Sequence, residues 1–371
     1  MVGAAGPEFA LPAPLVSIVI DNYNYARFLG AAIDSALAQT YSRREIIVVD
    51  DGSTDESRAV IAAYGDRIKA VFQQNQGQSG AFNAGFAASR GDIVLFLDAD
   101  DLLRPEAVEA VVAAWRPGTA KAQFCLATID AAGNALGAVF PNYRAALGPA
   151  AIRRETLRTA LYPCPPTSGN AYGRDFLEQV MPVPPVLAGA DGPLNTLAPL
   201  YGAVVTLDRV LGSYRVHGAN DGAQRALAPE KFARFIRHDQ HRVALLREHA
   251  ARLGIAIEGD PLDRAILHLQ YRLASLRLRP ADHPVPGERA LGIAGRGLKA
   301  VFGANDPWPA RLSLAFWFPA VAVLPMAAAR RLIALRFVPA SRPAILGSVL
   351  RRLGVLRKAP TSPPKLAGAG P

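Results

Sequence analysis

Four short apolar runs alternate with longer mixed segments along the first hundred residues. The runs are LVSIVI (15–20), EIIVVD (45–50), IKAVFQ (68–73) and DIVLFLD (92–98), and each intervening segment is longer than ten residues. Continuous β-branched runs are typical of strands buried on both faces, and the intervening lengths suit helical crossovers. The pattern predicts a β-α-β-α-β-α-β order in an open α/β sheet.

The pattern changes in the second third of the chain. Residues 117–222 mix Pro, Gly and short apolar runs, which predicts strands and loops that complete the site. Residues 229–278 return to helical spacing and predict packing helices. The spacing places five residues on one helical face: Leu262, Ile266, Leu269, Leu273 and Leu276.

Charge is distributed unevenly along the chain. The net charge is +10. Residues 307–371 contain ten basic residues and no Asp or Glu. The other 31 basic residues balance 31 acidic ones, so the excess belongs to the C-terminal segment and does not indicate a nucleic-acid partner. Each basic residue near an anionic membrane surface contributes about 1 kcal/mol to the free energy of membrane binding. We therefore expect residues 307–358 to associate with a membrane surface.

The apolar span 312–329 is slightly shorter than the roughly 20 residues of a membrane-crossing helix, and it contains Pro319 and Pro325. We expect it to lie on the membrane or re-enter it, and a packed helix is the alternative. Cys125 and Cys164 lack metal-ligand spacing, and the N-terminus shows no secretion signal. A cytoplasmic protein, peripheral on the inner face of the cell membrane, is the expectation.

Carboxylates follow two of the predicted strands. Asp50 and Asp51 lie in VVDDGSTD, and Asp98, Asp100 and Asp101 lie in LFLDADDLLRP. Ligands of open α/β sheets bind beyond the carboxyl ends of strands. Crowded carboxylates repel one another unless a cation or solvent screens them, and a D-x-D offers the oxygen ligands that Mg²⁺ or Mn²⁺ takes. An ordinary strand-to-helix turn at VVDDGSTD, and an Asp101 that caps a helix near Pro105, remain the alternatives.

Seven segments together resemble the ordered motifs of glycosyltransferase family 2, whose members are inverting, nucleotide-sugar-dependent enzymes of GT-A fold. The resemblance covers about residues 15–221. It is carried by VSIVIDNYNYARFLGAAIDSALAQTY, EIIVVDDGSTD, NQGQSGAFNAGFAASRGD, LFLDADDLLRP, PPTSGNAYGRDFL, AGADGPLN and YRVHGAND. It implies a Rossmann-like, mixed and mainly parallel sheet with flanking helices, followed here by a C-terminal helical extension.

The resemblance also implies roles for single residues. Tyr23 would stack on the nucleotide base, and Asp51 would accept a hydrogen bond from a base N–H, which favours uracil, thymine or guanine. Asp98 would lie at the sugar or ribose, and Asp100 would ligate Mg²⁺ or Mn²⁺ at the diphosphate. The implied nucleotide-binding set is Tyr23, Asp50, Asp51, Gly80, Asn83 and Asp98.

Two further roles are implied in the later motifs. Asp191 lies at the position of the catalytic base, although this chain has Ala190 where many relatives have Glu, and ADGP is also a common turn sequence. His217 would ligate the metal or donate to a phosphate oxygen. Phe82 stands where part of the family has a basic residue.

The sequence therefore predicts an inverting, metal-dependent glycosyltransferase that moves a sugar from a nucleotide diphosphate sugar, expected to be a UDP-sugar, to a hydroxyl of a glycan or lipid-linked acceptor. A nucleotidyltransferase or a non-catalytic sugar-nucleotide-binding module is the alternative. The predicted segments are a tail (1–14), a catalytic domain (15–222, with halves 15–115 and 116–222), a helical extension (223–306), the membrane-associating segment (307–358) and a disordered tail (359–371).

Overall fold

The computed structural model describes residues 13–141, 143, 147–185, 189–217, 227–304 and 307–338. Contacts within the chain divide it into two compact units, and each unit is described by itself. Unit 1 is Met1–Leu126, Pro165–Pro185 and Gly202–Tyr214; unit 2 is Ala127–Cys164, Val186–Tyr201 and Arg215–Pro371.

Strands and helices alternate through the first part of the chain, as the sequence predicts. The strands are β1 (Val16–Asn22), β2 (Arg44–Asp50), β3 (Lys69–Phe72), β4 (Ile93–Asp98), β5 (Leu102–Leu103), β6 (Thr119–Ile129), β7 (Ala135–Phe140), β8 (Asn170–Gly173) and β9 (Ala203–Arg215). The helices are α1 (Ala26–Leu37), α2 (Ser57–Ala62), α3 (Gly77–Ala88), α4 (Ala107–Ala114), α5 (Pro149–Thr159), α6 (Arg174–Val180), α7 (Asp191–Tyr201), α8 (Pro229–Arg252), α9 (Ile266–Leu278), α10 (Ala290–Phe302), α11 (Trp308–Val323) and α12 (Met326–Phe337).

The sheet of unit 1 is mixed. Its strand order is β3-β2-β1-β4-β8-β6-β9-β5, and the four strands at the β3 end are parallel to one another. The later pairs β4–β8, β6–β8 and β5–β9 are antiparallel. The predicted mixed α/β sheet with flanking helices is confirmed, and its parallel half is the half that the apolar runs define.

Alternate residues of the central strands pack on opposite faces of this sheet. Ile18 and Ile20 of β1 belong to a buried core shared with Leu29 and Ile33 of α1. Val19, which lies between them, faces α3, since a Cβ placed at Gly85 of that helix would lie 2.2 Å from Val19 Cγ1. Strands covered on both faces need apolar residues at every position, which explains why these strands read as continuous apolar runs.

Unit 2 contains the predicted C-terminal helical extension, which is confirmed. Leu269 and Leu273 of α9 are fully buried, and Ile266 and Leu276 are partly buried against the same core. Leu262 is buried but lies outside α9, in a 3₁₀ turn over Pro261–Asp263. The five-residue face predicted from spacing is therefore wrong at its first position, because the chain turns at Pro261 before the helix begins.

The apolar span 312–329 forms parts of two helices. Its inner residues, among them Phe318 and Val321 of α11, are fully buried in the core of unit 2. The chain breaks helical geometry at Leu324 and Pro325, and α12 follows. No helix among the described residues is both long and apolar enough to cross a membrane. Residues 1–12 of the predicted tail 1–14, the predicted tail 359–371, and residues 339–358 of the predicted membrane-associating segment lie outside the described residues.

Gly297 sets how closely α10 and α11 pack. A Cβ at Gly297 would lie 2.4 Å from the Phe318 ring, whereas a Cβ at Gly292 of the same helix would meet nothing within 4 Å. We expect Gly297→Ala to lower the free energy of unfolding by about 1–3 kcal/mol, the usual cost of overpacking. Gly292→Ala is the matched control, and it should be neutral or stabilising by up to about 1 kcal/mol. Urea unfolding followed by tryptophan fluorescence measures both, and equal effects would contradict the close contact.

Candidate functional site

The pairing of β1 with its two neighbours places polar residues at one edge of unit 1. Parallel strands end at the same edge, and the register sets Asn22 of β1 beside Asp50 of β2 and Asp21 of β1 beside Asp98 of β4. The Gln78 amide Nε2 donates to Asp98 Oδ1 at 2.9 Å and to Asp21 Oδ2 at 3.2 Å. The strand ends that the sequence indicates thus meet in one polar cluster.

Asp50 and Asp51 end β2 with their side chains held in fixed positions. Both are buried, and Asp50 Oδ1 accepts a hydrogen bond from Asn22 Nδ2 at 3.0 Å. Asp51 Oδ1 accepts from Gln73 Nε2 at 2.6 Å and from the Gln76 backbone N–H at 2.9 Å. These two hydrogen bonds to one oxygen fix the orientation of the Asp51 carboxylate.

The loops after β1 and β2 are bound to each other. The Ser53 hydroxyl accepts from the Asn24 backbone N–H at 2.9 Å, and Asn24 Oδ1 accepts from the Thr54 N–H at 2.8 Å. Gly52 between them has φ +78°, and a Cβ there would lie 2.8 Å from a backbone nitrogen. VVDDGSTD therefore forms a strand-to-helix turn in which only glycine fits at position 52. The same turn supports the loop that carries Tyr23, whose ring is exposed.

Asp55 anchors this turn to the start of α1. Its Oδ2 accepts the Ala26 N–H at 2.9 Å, and its Oδ1 accepts the N–H and hydroxyl of Ser57. Burial alone would raise the pKa of Asp55, but these hydrogen bonds hold the pKa below its ordinary value. Its carboxylate has a structural role.

Three carboxylates meet after β4. Oxygens of Asp98, Asp100 and Asp101 lie within 4.8 Å of one another, and Asp100 and Asp101 are buried. The Ser168 hydroxyl donates to Asp101 Oδ2 at 2.6 Å and accepts the Asp98 N–H at 3.2 Å. Asp101 therefore belongs to the acidic cluster, and its capping alternative is wrong because α4 begins after Glu106 without a side-chain cap.

This acidic cluster fits a divalent cation. All of its ligand atoms are carboxylate oxygens, the donors that Mg²⁺ and Mn²⁺ prefer. Nearby, burial and then the charges of Asp100, Asp98 and Asp101 raise the pKa of Tyr25 to about 12. The negative charge of the acidic cluster thus also acts on a neighbouring phenol.

Helix α3 uses its polar residues for packing. The Asn83 amide donates to the Val183 carbonyl at 3.0 Å and accepts the Val183 N–H at 2.7 Å. Gly80 lies one turn after Gln76, whose Cβ would be 2.3 Å from a Cβ at this position. Phe82 is fully buried and stacks on Phe96 at 4.0 Å between ring centroids. The nucleotide-binding roles of Gly80 and Asn83 stay predictions.

Asp191 is the first residue of α7 in unit 2. Asn195, one turn later, donates from Nδ2 to Asp191 Oδ2 at 2.9 Å, and the Tyr162 hydroxyl donates to the Asn195 carbonyl at 2.9 Å. Burial, and then Cys164, Tyr143 and Asp191, raise the pKa of Tyr162, so this hydroxyl stays protonated and donates. The positive end of the helix dipole favours a carboxylate in the first turn.

His217 also lies in unit 2. It follows the end of β9 by two residues and is buried, while residues 218–221 of its motif lie outside the described residues. The backbone N–H of Val216 donates to the Ile129 carbonyl at 2.8 Å and fixes the chain beside it. Its predicted contact with a metal or phosphate stays a prediction, as do the roles of the other site residues.

Similarity to known proteins identifies the family. A family profile described as "Glycosyl transferase family 2" matches residues 17–167. An uncharacterized glycosyltransferase of Nostoc sp. is 42% identical over 224 residues, which cover 57% of this chain and 68% of that relative. The chain belongs to glycosyltransferase family 2. It is therefore a glycosyltransferase, as its ordered motifs predict.

Two further similarities bear on this glycosyltransferase. Succinoglycan biosynthesis protein ExoO of Rhizobium meliloti is 39% identical over 119 residues, which cover 32% of this chain and 34% of ExoO. The crystal structure of S. aureus TarS 1–349 in complex with UDP-GlcNAc matches 87% of this chain and 91% of that chain, with a TM-score of 0.53 and 15% identity. The likeness to TarS shows a shared fold, and with family membership it confirms the expected GT-A fold.

Several residues that shape the site of this glycosyltransferase are not found by sequence reasoning. Gln78 and Ser168 orient the acidic cluster, Gln73 orients Asp51, and Asn195 orients Asp191. Ser168 lies 67 residues after Asp101, so no local pattern links them. Asn195 could have been found, because it lies four residues after Asp191 on a helix.

We expect Asp100 to contribute to divalent-cation binding. Asp100→Asn keeps the side-chain size and removes a charge, so Mn²⁺ affinity in the presence of UDP should fall by about tenfold or more. Mutation of a residue that only hydrogen-bonds to a metal ligand already lowers metal affinity by about 10- to 100-fold. Electron paramagnetic resonance of free Mn²⁺ measures the affinity. Asp66→Asn, at an exposed carboxylate of unit 1, is the control. Equal affinities for the two variants would contradict the cation site.

Proposed function

We propose that this glycosyltransferase moves a sugar from a UDP-sugar to a hydroxyl of a glycan or lipid-linked acceptor, with inversion and with a divalent cation bound. The proposal rests chiefly on the acidic cluster of Asp98, Asp100 and Asp101 at the carboxyl end of β4 in a chain of family 2. We assign the transfer to residues 15–222 and a supporting role to the helical extension 223–306.

The strand ends of unit 1 would bind the donor nucleotide. The exposed Tyr23 ring offers a flat apolar face for the base, and the oriented Asp51 carboxylate accepts a base N–H. A carboxylate only accepts hydrogen bonds, so it favours uracil over adenine at that edge. TarS is a protein of the same fold that was crystallised with UDP-GlcNAc, which supports a uridine donor.

Mg²⁺ or Mn²⁺ is the proposed cofactor, held by Asp100 and its neighbours in the acidic cluster. When bound, the cation supplies positive charge that stabilises the diphosphate as it leaves. Gln78 and Ser168 keep the carboxylates oriented, so little reorganisation is needed during the reaction.

Asp191 is the proposed general base. The acceptor hydroxyl attacks the anomeric carbon from the face opposite the diphosphate, and the bond from that carbon to the diphosphate oxygen breaks as the new bond forms. Asp191 removes the hydroxyl proton during the attack, and one displacement inverts the anomeric centre. Asn195 is a positioning residue, since its side-chain amide donates to one oxygen of the Asp191 carboxylate.

Similarity and charge support the proposed acceptor class. ExoO is named for succinoglycan biosynthesis, which supports a glycan or a lipid-linked glycan as acceptor. Nucleic acid is not a proposed partner, because the basic excess is confined to the C-terminal segment.

A panel of nucleotide sugars tests the proposed donor. We expect one or more UDP-sugars to raise the melting temperature in the presence of Mn²⁺, because a ligand that binds the folded state stabilises it. ADP-glucose should not, since Asp51 cannot donate to adenine. Turnover should release UDP, and release of pyrophosphate would indicate nucleotidyl transfer and contradict the proposal.

Asp191 and Asp51 should show opposite kinetic defects. Asp191→Asn keeps the contact from Asn195 but removes the basicity, so turnover should fall by about two to four orders of magnitude while donor affinity changes little. Asp51→Asn keeps an oxygen for Gln73 and Gln76 but loses an acceptor for the base, so donor affinity should fall first. Calorimetric titration with UDP and initial rates measure the two effects.

The paired design identifies each failure. An Asp191→Asn enzyme within a few-fold of wild-type turnover would show that ADGP is only a helix start. Unchanged UDP affinity in Asp51→Asn would show that the base binds elsewhere.

A further inference from the structure

Helix α11 is apolar on both of its sides. Trp317, Phe318 and Val321 are buried in the core of unit 2. Four large apolar residues on the other side are between 56% and 69% exposed: Trp308, Leu312, Phe316 and Val323. A surface helix normally presents polar residues to water, so this second face needs an explanation.

The four exposed residues form a continuous band, called here the outer stripe. At 3.6 residues per turn they fall within an arc of about 80°, and they extend over about 22 Å of the helix. Such a contiguous apolar surface with aromatic residues is typical of a contact surface, whereas single exposed apolar residues are ordinary.

The charges beside the outer stripe indicate its partner. Exposed Arg330 and Arg331 lie on α12, the helix that follows, and the chain has no acidic residue after Asp306. The sequence after residue 338 adds six more basic residues and no acid. Aromatic and aliphatic side chains that are followed along the chain by bases and by no acid match the composition of helices that lie in anionic membrane interfaces.

A second copy of this chain is a poorer occupant. A twofold contact through the outer stripe would bring the basic helix α12 of both copies, with Arg330 and Arg331, toward the same interface. Like charges would then oppose the apolar contact, whereas an anionic lipid surface attracts them.

We propose that the outer stripe of α11 lies in the interface of an anionic membrane, with the helix axis parallel to the surface. The inner face of α11 stays packed on the protein core, so the helix does not insert across the bilayer. The exposed basic residues of α12, Arg330 and Arg331, contact lipid headgroups. This placement makes the enzyme a peripheral membrane protein, and it does not rest on the proposed sugar transfer.

Vesicle binding by the full-length protein tests the proposal without donor or acceptor. Vesicles of 30% phosphatidylglycerol in phosphatidylcholine should bind the protein at low salt, and pure phosphatidylcholine should bind it at least tenfold more weakly. The triple variant Trp308→Ser/Leu312→Ser/Phe316→Ser should bind anionic vesicles at least tenfold more weakly than wild type. The control Leu136→Ser/Phe140→Ser, at exposed apolar residues of β7, should bind like wild type.

Fluorescence reports directly on the outer stripe. The chain has three tryptophans, and Trp308 is the exposed one. Its emission should shift to the blue on anionic vesicles and be quenched by brominated lipid, and Trp308→Phe should remove both signals while vesicle binding persists. This variant keeps an aromatic side chain, so its result does not depend on whether the triple variant folds.

Three outcomes would overturn the proposal. Full-length protein that does not bind anionic vesicles would exclude the membrane. A folded triple variant that binds like wild type would show that charge alone attaches the protein. A dimer of the wild-type protein that the triple variant converts to a monomer, with no vesicle binding by either, would assign the outer stripe to a second copy of the chain.

Discussion

The pairing of β1 between β2 and β4 is the constraint on which the site of unit 1 depends. Parallel pairing ends all three strands at one edge, and the register brings Asp21 to Asp98 and Asn22 to Asp50. A slip of one residue would turn the α1-facing Ile18 and Ile20 to the other face, so the core fixes the register that the polar residues need. Apolar packing therefore positions the carboxylates.

Burying several carboxylates at this edge is costly unless each accepts hydrogen bonds. Neutral amides and a hydroxyl are among the donors, from Gln78 and Ser168 at the acidic cluster and from Gln73 at Asp51. Asp50 has a charged partner as well, since Arg58 Nε lies 3.6 Å from its Oδ2. Neutral donors satisfy the oxygens without cancelling the charge. Unlike salt bridges, the hydrogen bonds from Gln78 and Ser168 leave the negative charge of the acidic cluster in place.

Sequence alone predicts the parts of this arrangement that are local. The apolar runs give the strands, and the rule that ligands bind at carboxyl ends gives Asp51 and Asp98 their place. The donor Ser168 could not be predicted, because it reaches the acidic cluster only when the chain returns to the sheet just before β8. The error at Leu262 has another cause. A 3.6-residue spacing continues through the sequence, but Pro261 and the left-handed Gly259 interrupt the helix that would use it.

Phe82 shows how one core position changes the electrostatics of the donor side. Part of the family has a basic residue here, but this side chain stacks on Phe96 within the core, and the sequence of α3 has no charged residue at all. Helix α3 therefore has no basic side chain for the diphosphate of the proposed donor, which makes the proposed cation the more important source of positive charge. Helix α11 presents a different question, because hydropathy alone does not distinguish a membrane-associated helix from a helix of the protein core. The inner face of α11 packs against Gly297 and its neighbours in the protein core. Only the apolar residues of its exposed face therefore call for a binding partner.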